Sequence, residues 1–164
     1  MVIKLFKICL QKLRNLVLGD FRSKRLSQLI VNKIIKYNKQ KIIRILDYGT
    51  GYQPKVVHFV YEQLVNDYKK KIIIDCYDFY SKKDLKKLNN QKNKNIFFYN
   101  INVLLKNKKK YNFCLINDVI HHIGIEKEET IINILNNLVY VSKIVFIKDH
   151  FQQGIISNNI IRFM

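Results

Sequence analysis

Five short apolar runs, rich in β-branched residues, alternate along this chain with segments of helical spacing. The runs are Ile42 to Asp47, Lys71 to Phe79, Ile96 to Ile101, Tyr111 to Asp118 and Lys143 to Asp149. Each is nearly continuous in apolar character, which predicts a strand covered on both faces. The intervening segments Arg22 to Tyr37, Val56 to Tyr68, Lys82 to Leu88 and Glu126 to Val141 repeat their apolar residues at helical spacing. Strands alternating with helices build a parallel sheet with right-handed crossovers and helices on both faces. The chain has 164 residues and neither an internal repeat nor a linker, so one α/β domain is expected. Residues 1–40 form an N-terminal helical segment that packs on it, and residues 41–164 form the α/β body.

Composition narrows the function less than its first impression suggests. Hydrophobic residues are 48% and charged residues 26%, which excludes a disordered or collagen-like chain. The formal net charge of +18 invites a nucleic acid or an anionic membrane as partner. Yet 25 of the 30 basic residues are Lys, Ile and Asn are abundant, and Ala is absent. That is the profile of an AT-rich coding sequence, and phosphate readers favour the bidentate fork of Arg. Cys9, Cys76 and Cys114 are odd in number and lack paired spacing, so neither a disulfide framework nor a metal site is expected. Free cysteines in apolar runs point to a reducing compartment, the cytoplasm. No run of 18 apolar residues marks a membrane span. Met1 to Leu18 carries only basic charges, and its apolar residues recur close to helical spacing. It reads as a helix on the domain, or as a transit or membrane-surface segment.

Open α/β sheets bind ligands beyond the carboxyl ends of their strands. The first strand here ends in Asp47-Tyr48-Gly49-Thr50-Gly51, a turn in which glycine lets backbone approach a ligand, and a helix follows. The third glycine of a dinucleotide fingerprint is absent, and Asp47 would repel a pyrophosphate there while attracting a cationic ligand. The second strand ends in Asp78, suited to ribose hydroxyls. Asp75, three residues earlier, is the rival acid.

These segments resemble a family. ILDYGTGYQP is similar to the first motif of the class I S-adenosylmethionine-dependent methyltransferases, CYDFY to their acidic second-strand motif, YNFCLINDVIHHI to the fourth-strand motif and IVFIKDHF to the fifth. Four motifs in order cover roughly Asp20 to Met164. The HHI ending resembles the quinone-type and other small-molecule branches. The resemblance implies a three-layer Rossmann-like fold with sheet order 3-2-1-4-5 and S-adenosylmethionine as cofactor. Asp47, Gly49 and Gly51 would cradle its methionine part, with Asp47 near the ammonium. Asp78 would hold the ribose, Phe79 and Asn102 (or Asn100) would meet the adenine, and Asn117 and Asp118 would border cofactor and acceptor. His121, His122 and Asp118 are the catalytic candidates, one histidine serving as base. Asp149 and His150 end the fifth strand, facing the same site or serving the structure only.

The family sheet normally continues through strands six and seven, and QQGIISNNIIRFM resembles the lead-in to them. The expectation is therefore a chain stopping short of both, with an exposed fifth-strand edge open to homodimer pairing. The acceptor expected is small or lipid-like. An RNA substrate is the alternative suggested by charge, and a non-catalytic binding module the alternative suggested by the missing hairpin.

Overall fold

A computed structural model describes residues 2–52, 54–90, 93–104, 106, 109–123, 128–149 and 161–162, with side chains described between Asp20 and Asp149. Gln53, which stands at the third-glycine position, His150 and most of the tail lie outside these residues.

The expected strands form, as β1 (Ile42–Tyr48), β2 (Lys71–Asp78), β3 (Ile96–Asn100), β4 (Tyr111–Asn117) and β5 (Ser142–Lys148). They pair in parallel in the order β3-β2-β1-β4-β5. β6 (Ile161–Arg162) adds two residues antiparallel to β5, opposite Ile147 and Phe146. The fifth-strand edge, expected bare, thus carries a short pairing at two positions.

The side-chain period of two divides the strands between two cores. Ile43, Ile45, Ile74, Phe113 and Leu115 meet α1 (Val2–Tyr37), α2 (Lys55–Asn66) and α3 (Lys82–Asn89) on one face, through Ile34, Val60, Leu64 and Leu88. Leu46, Cys114, Ile116 and Ile147 meet Leu138 and Val141 of α5 (Glu128–Val141) on the other. The result is three layers. Burying a side chain such as Leu64 or Leu138, both fully enclosed, contributes about 2 kcal/mol each.

One helix differs from expectation. α1 runs unbroken through Gly19, Asp20 and Phe21, where the sequence suggested a gap. A mid-helix Gly costs about 1 kcal/mol, a small term beside the docking of Ile30, Val31 and Ile34. The Asp20 to Lys55 ion pair at 2.6 Å and the Gln63 to Ser27 hydrogen bond at 3.3 Å hold α1 along α2. α3 begins as its sequence predicts. Ser81 Oγ accepts from Asp84 N–H, and Asp84 returns the bond to Ser81 N–H, a capping box.

One polar cluster lies inside the sheet. Asp75 is 1% exposed, and its Oδ2 accepts from Tyr111 OH at 2.8 Å and from Lys109 Nζ at 3.0 Å, while its Oδ1 is buried without a partner. Tyr77 OH lies 3.0 Å from Tyr111 OH. Tyr111→Phe therefore strips a bond from a carboxylate already short of one. A loss of about 2 kcal/mol is expected, read as a lower urea midpoint with an unchanged slope.

Candidate cofactor and acceptor site

The carboxyl ends of β1 and β4 meet the start of α2 at a small cleft of about 50 Å³ that opens to solvent. Asp47, Gly49, Thr50 and Asn117 line it together with Pro54, Lys55 and Val57 at the start of α2. The glycine turn is built by its backbone. Gly49 has φ +75° and Gly51 φ +69°, a region that side chains rarely enter. A Cβ on Gly49 would lie 2.4 Å from Val119 Cγ2, whereas one on Gly51 would meet nothing within 4 Å. Gly49 N–H donates to Tyr77 C=O at 2.8 Å, tying the turn to β2.

Asp47 is 6% exposed. Burial, with a further push from the Asp78 charge and against the Thr50 hydroxyl, raises its carboxyl from 3.8 to about 7. A buried acid with so poor a hold on its charge suits a cationic ligand, which would restore that charge. Asn117 points to the same conclusion. Its Oδ1 is buried and has no hydrogen-bond partner, a costly state that a ligand donor relieves. Beside them, α2 starts at Pro54 with no side-chain cap, so its positive end faces the cleft. A carboxylate, an acceptor amide and an uncapped helix end together complement a zwitterionic amino-acid group.

Asp78 ties the end of β2 to the glycine turn. Its Oδ2 accepts from Gly51 N–H at 2.6 Å and its Oδ1 from Phe79 N–H at 2.6 Å. Each oxygen retains a second lone pair for a ligand hydroxyl. Asp75 and Asp78 differ by an odd number of residues and so point to opposite faces. Asp75 turns toward Tyr111 and Lys109, whereas Asp78 is bonded to the glycine turn through Gly51 N–H. Phe79 is 74% exposed beside it. Asn100 is committed to the fold, its Nδ2 donating to Tyr80 C=O at 2.7 Å and its Oδ1 accepting from Asn102 N–H at 3.0 Å. Asn102 is the exposed member of that pair.

The catalytic candidates separate. Asp118, at φ +55°, holds its carboxylate on Lys148 Nζ at 2.6 and 2.7 Å. His121 and His122 lie on α4 (Ile120–Ile123), their rings 4.0 Å apart. His121 Nδ1 lies 2.5 Å from Asp149 Oδ1. One support escaped the sequence reading. Tyr80, 2% exposed, donates its hydroxyl to Gly51 C=O at 2.6 Å.

No protein-family model and no curated protein matches the chain. Solved structures do. A protein assigned as a sarcosine dimethylglycine methyltransferase from Galdieria sulphuraria is 18% identical with TM-score 0.55, over 76% of this chain and 45% of that one. The plantazolicin methyltransferase, solved with a substrate analogue and S-adenosylhomocysteine, is 17% identical with TM-score 0.58, over 87% and 52%. Magnesium protoporphyrin IX methyltransferase from Synechocystis PCC 6803, also with S-adenosylhomocysteine, is 15% identical with TM-score 0.55, over 84% and 61%. The chain thus spans about half the length of these structures. Their sheet and the order observed here agree: the chain has the Rossmann-like fold of the class I S-adenosylmethionine-dependent methyltransferases.

Proposed function

We propose that the chain binds S-adenosylmethionine and transfers its methyl group to a small or lipid-like acceptor. The observation that carries this reading is the pairing of Asp47, a buried carboxyl raised to about 7, with the unpartnered Asn117 Oδ1 in one cleft. In this reading Asp47 takes the ammonium, Gly49 and Gly51 let the backbone close on the methionine part, and Asp78 takes the ribose. Phe79 stacks on the adenine, Asn102 meets its amino group, and Asn117 and Asp118 border the acceptor. When bound, the cofactor supplies a methyl already activated on a sulfonium, so the chain's task is mainly to position the reactants. The structures with bound S-adenosylhomocysteine support this ligand class. An RNA acceptor rests on net charge alone.

The buried free thiols of Cys76 and Cys114 support a cytoplasmic setting, and no helix among the described residues is long and apolar enough to cross a membrane. The part of β5 beyond the β6 pairing is the surface on which a second copy would add, a dimer that sedimentation would detect.

Calorimetry with S-adenosylhomocysteine tests the cofactor claim. The expected outcome is binding that weakens about tenfold to a hundredfold in Asp78→Ala, the range of a charge-assisted hydrogen bond. A folded protein that takes up no heat with this ligand would end the proposal.

A further inference from the structure

We propose that residues 2–19 of α1 dock the protein on an anionic lipid surface, at the end of the sheet where the cleft opens. Docking itself needs no cofactor. Only its benefit to a lipid-like acceptor rests on the methyltransferase reading.

α1 is far longer than the helix it packs on. Its 36 residues span about 54 Å, against about 18 Å for the 12 residues of α2. Three contacts set the two helices side by side. Asp20 pairs with Lys55 at 2.6 Å, Lys24 Nζ lies 5.5 Å from the centre of the Phe59 ring, and Gln63 bonds Ser27 at 3.3 Å. Residue numbers rise together along both helices, so they run parallel, and Asp20 stands level with the first residue of α2. Residues 2–19 therefore continue past the start of α2 for about 27 Å. That start lines the cleft through Lys55 and Val57. The projecting segment thus leaves the body at the cleft's own end.

Helical periodicity sorts the residues of this segment. Leu5, Phe6, Cys9, Leu13 and Leu16 fall on one face. Lys4, Lys7 and Arg14 fall on the opposite face, with Lys12 at the border. The first acid in the chain is Asp20, which is already paired with Lys55. An apolar face flanked by cations alone matches an anionic interface: acyl chains receive the first and headgroup phosphates attract the second. The cationic stripe runs most of the segment's length, which places it in the plane of the interface and not across a bilayer. Two other occupants fit less well. A second copy would cover the apolar face but set cation beside cation, with no acid in the segment to offset them. A nucleic acid would meet the cations and leave the apolar face in water.

Vesicle sedimentation with the whole chain tests this. Vesicles of phosphatidylcholine containing one-third phosphatidylglycerol should carry the protein down. Pure phosphatidylcholine should bind it at least about tenfold more weakly. Two variants separate charge from apolar contact: Lys4→Glu/Lys7→Glu/Arg14→Glu and Phe6→Gln/Leu13→Gln. Each should weaken binding to the anionic vesicles at least about tenfold, with the urea midpoint unchanged because these positions lie beyond α2. Equal binding to both vesicle types overturns the proposal. So does full binding by the apolar-face variant, which leaves a bare net-charge attraction that RNA would also feel. A lowered urea midpoint would show the segment packing on the body, and a lipid-free dimer lost in the apolar-face variant would give that face to a second copy; either result also overturns it. Calorimetry with S-adenosylhomocysteine on the same samples reads the cofactor separately: vesicle binding without ligand heat keeps the docking surface and removes the methyltransferase reading.

Discussion

Gly49→Ala is expected to destabilise the protein by about 3 kcal/mol, and Gly51→Ala by about 1 kcal/mol. Both positions hold positive φ, which costs an L-residue about 1–2 kcal/mol. Only Gly49 adds a collision, because its Cβ would stand 2.4 Å from Val119 Cγ2. Forcing a methyl into such a contact costs about 1–3 kcal/mol more. In a chain of this size, 3 kcal/mol lowers the melting temperature by about 6–12 °C. Val119→Ala removes the colliding methyls, so the Gly49→Ala/Val119→Ala pair should recover the collision part and leave the φ part. Parallel urea titrations of the four proteins give the coupling between the two sites. Equal losses for the two glycines, or strict additivity with Val119→Ala, would show that the turn is not packed against the fourth-strand segment.

That contact also explains why part of the site could not be read beforehand. The strands themselves follow from local patterns, since each continuous apolar run can be satisfied only by burial on both faces, whereas their order in the sheet was implied by the family resemblance. Asp47, Gly49, Gly51 and Asp78 could be singled out as candidates because strand ends carry ligands in parallel sheets, and the odd spacing of Asp75 and Asp78 places them on opposite faces. Val119 against Gly49 joins residues seventy apart, and no periodicity encodes that. The same holds for Tyr80 OH on Gly51 C=O and for Asp149 beneath His121. Each joins residues far apart in the sequence and is decided by tertiary geometry. The continuity of α1 through Gly19 is the opposite case, a local preference overruled by packing on α2. Asn117 lies between. Its position at a strand end marked it, but only the enclosed environment shows that its oxygen lacks a partner.

Asp47→Asn should make the free protein more stable and nearly abolish its hold on the cofactor. The unfolded chain ionises this carboxyl near 3.8 and the folded chain near 7, chiefly because burial disfavours the charge. The folded state therefore binds the proton more tightly. Its penalty is absent below about pH 4, grows as pH rises toward 7 and is constant above, amounting to at most about 4 kcal/mol. The Asn variant carries no such penalty, so the two proteins should have similar stability at pH 4 and diverge in favour of the variant by pH 8. Ligand binding has the opposite requirement. The ammonium of S-adenosylhomocysteine needs the carboxylate, so wild-type affinity should be level above pH 7 and fall up to tenfold per unit below it. In the variant the affinity should be about 100-fold lower at pH 8, as for a buried charge pair stripped of one partner, and independent of pH in this window. Calorimetry at pH 6, 7 and 8, with thermal unfolding of both proteins at pH 4 and 8, separates the two effects. An Asn variant that is less stable at pH 8, or that binds as tightly as the wild type, would show that Asp47 serves the fold and not the ligand.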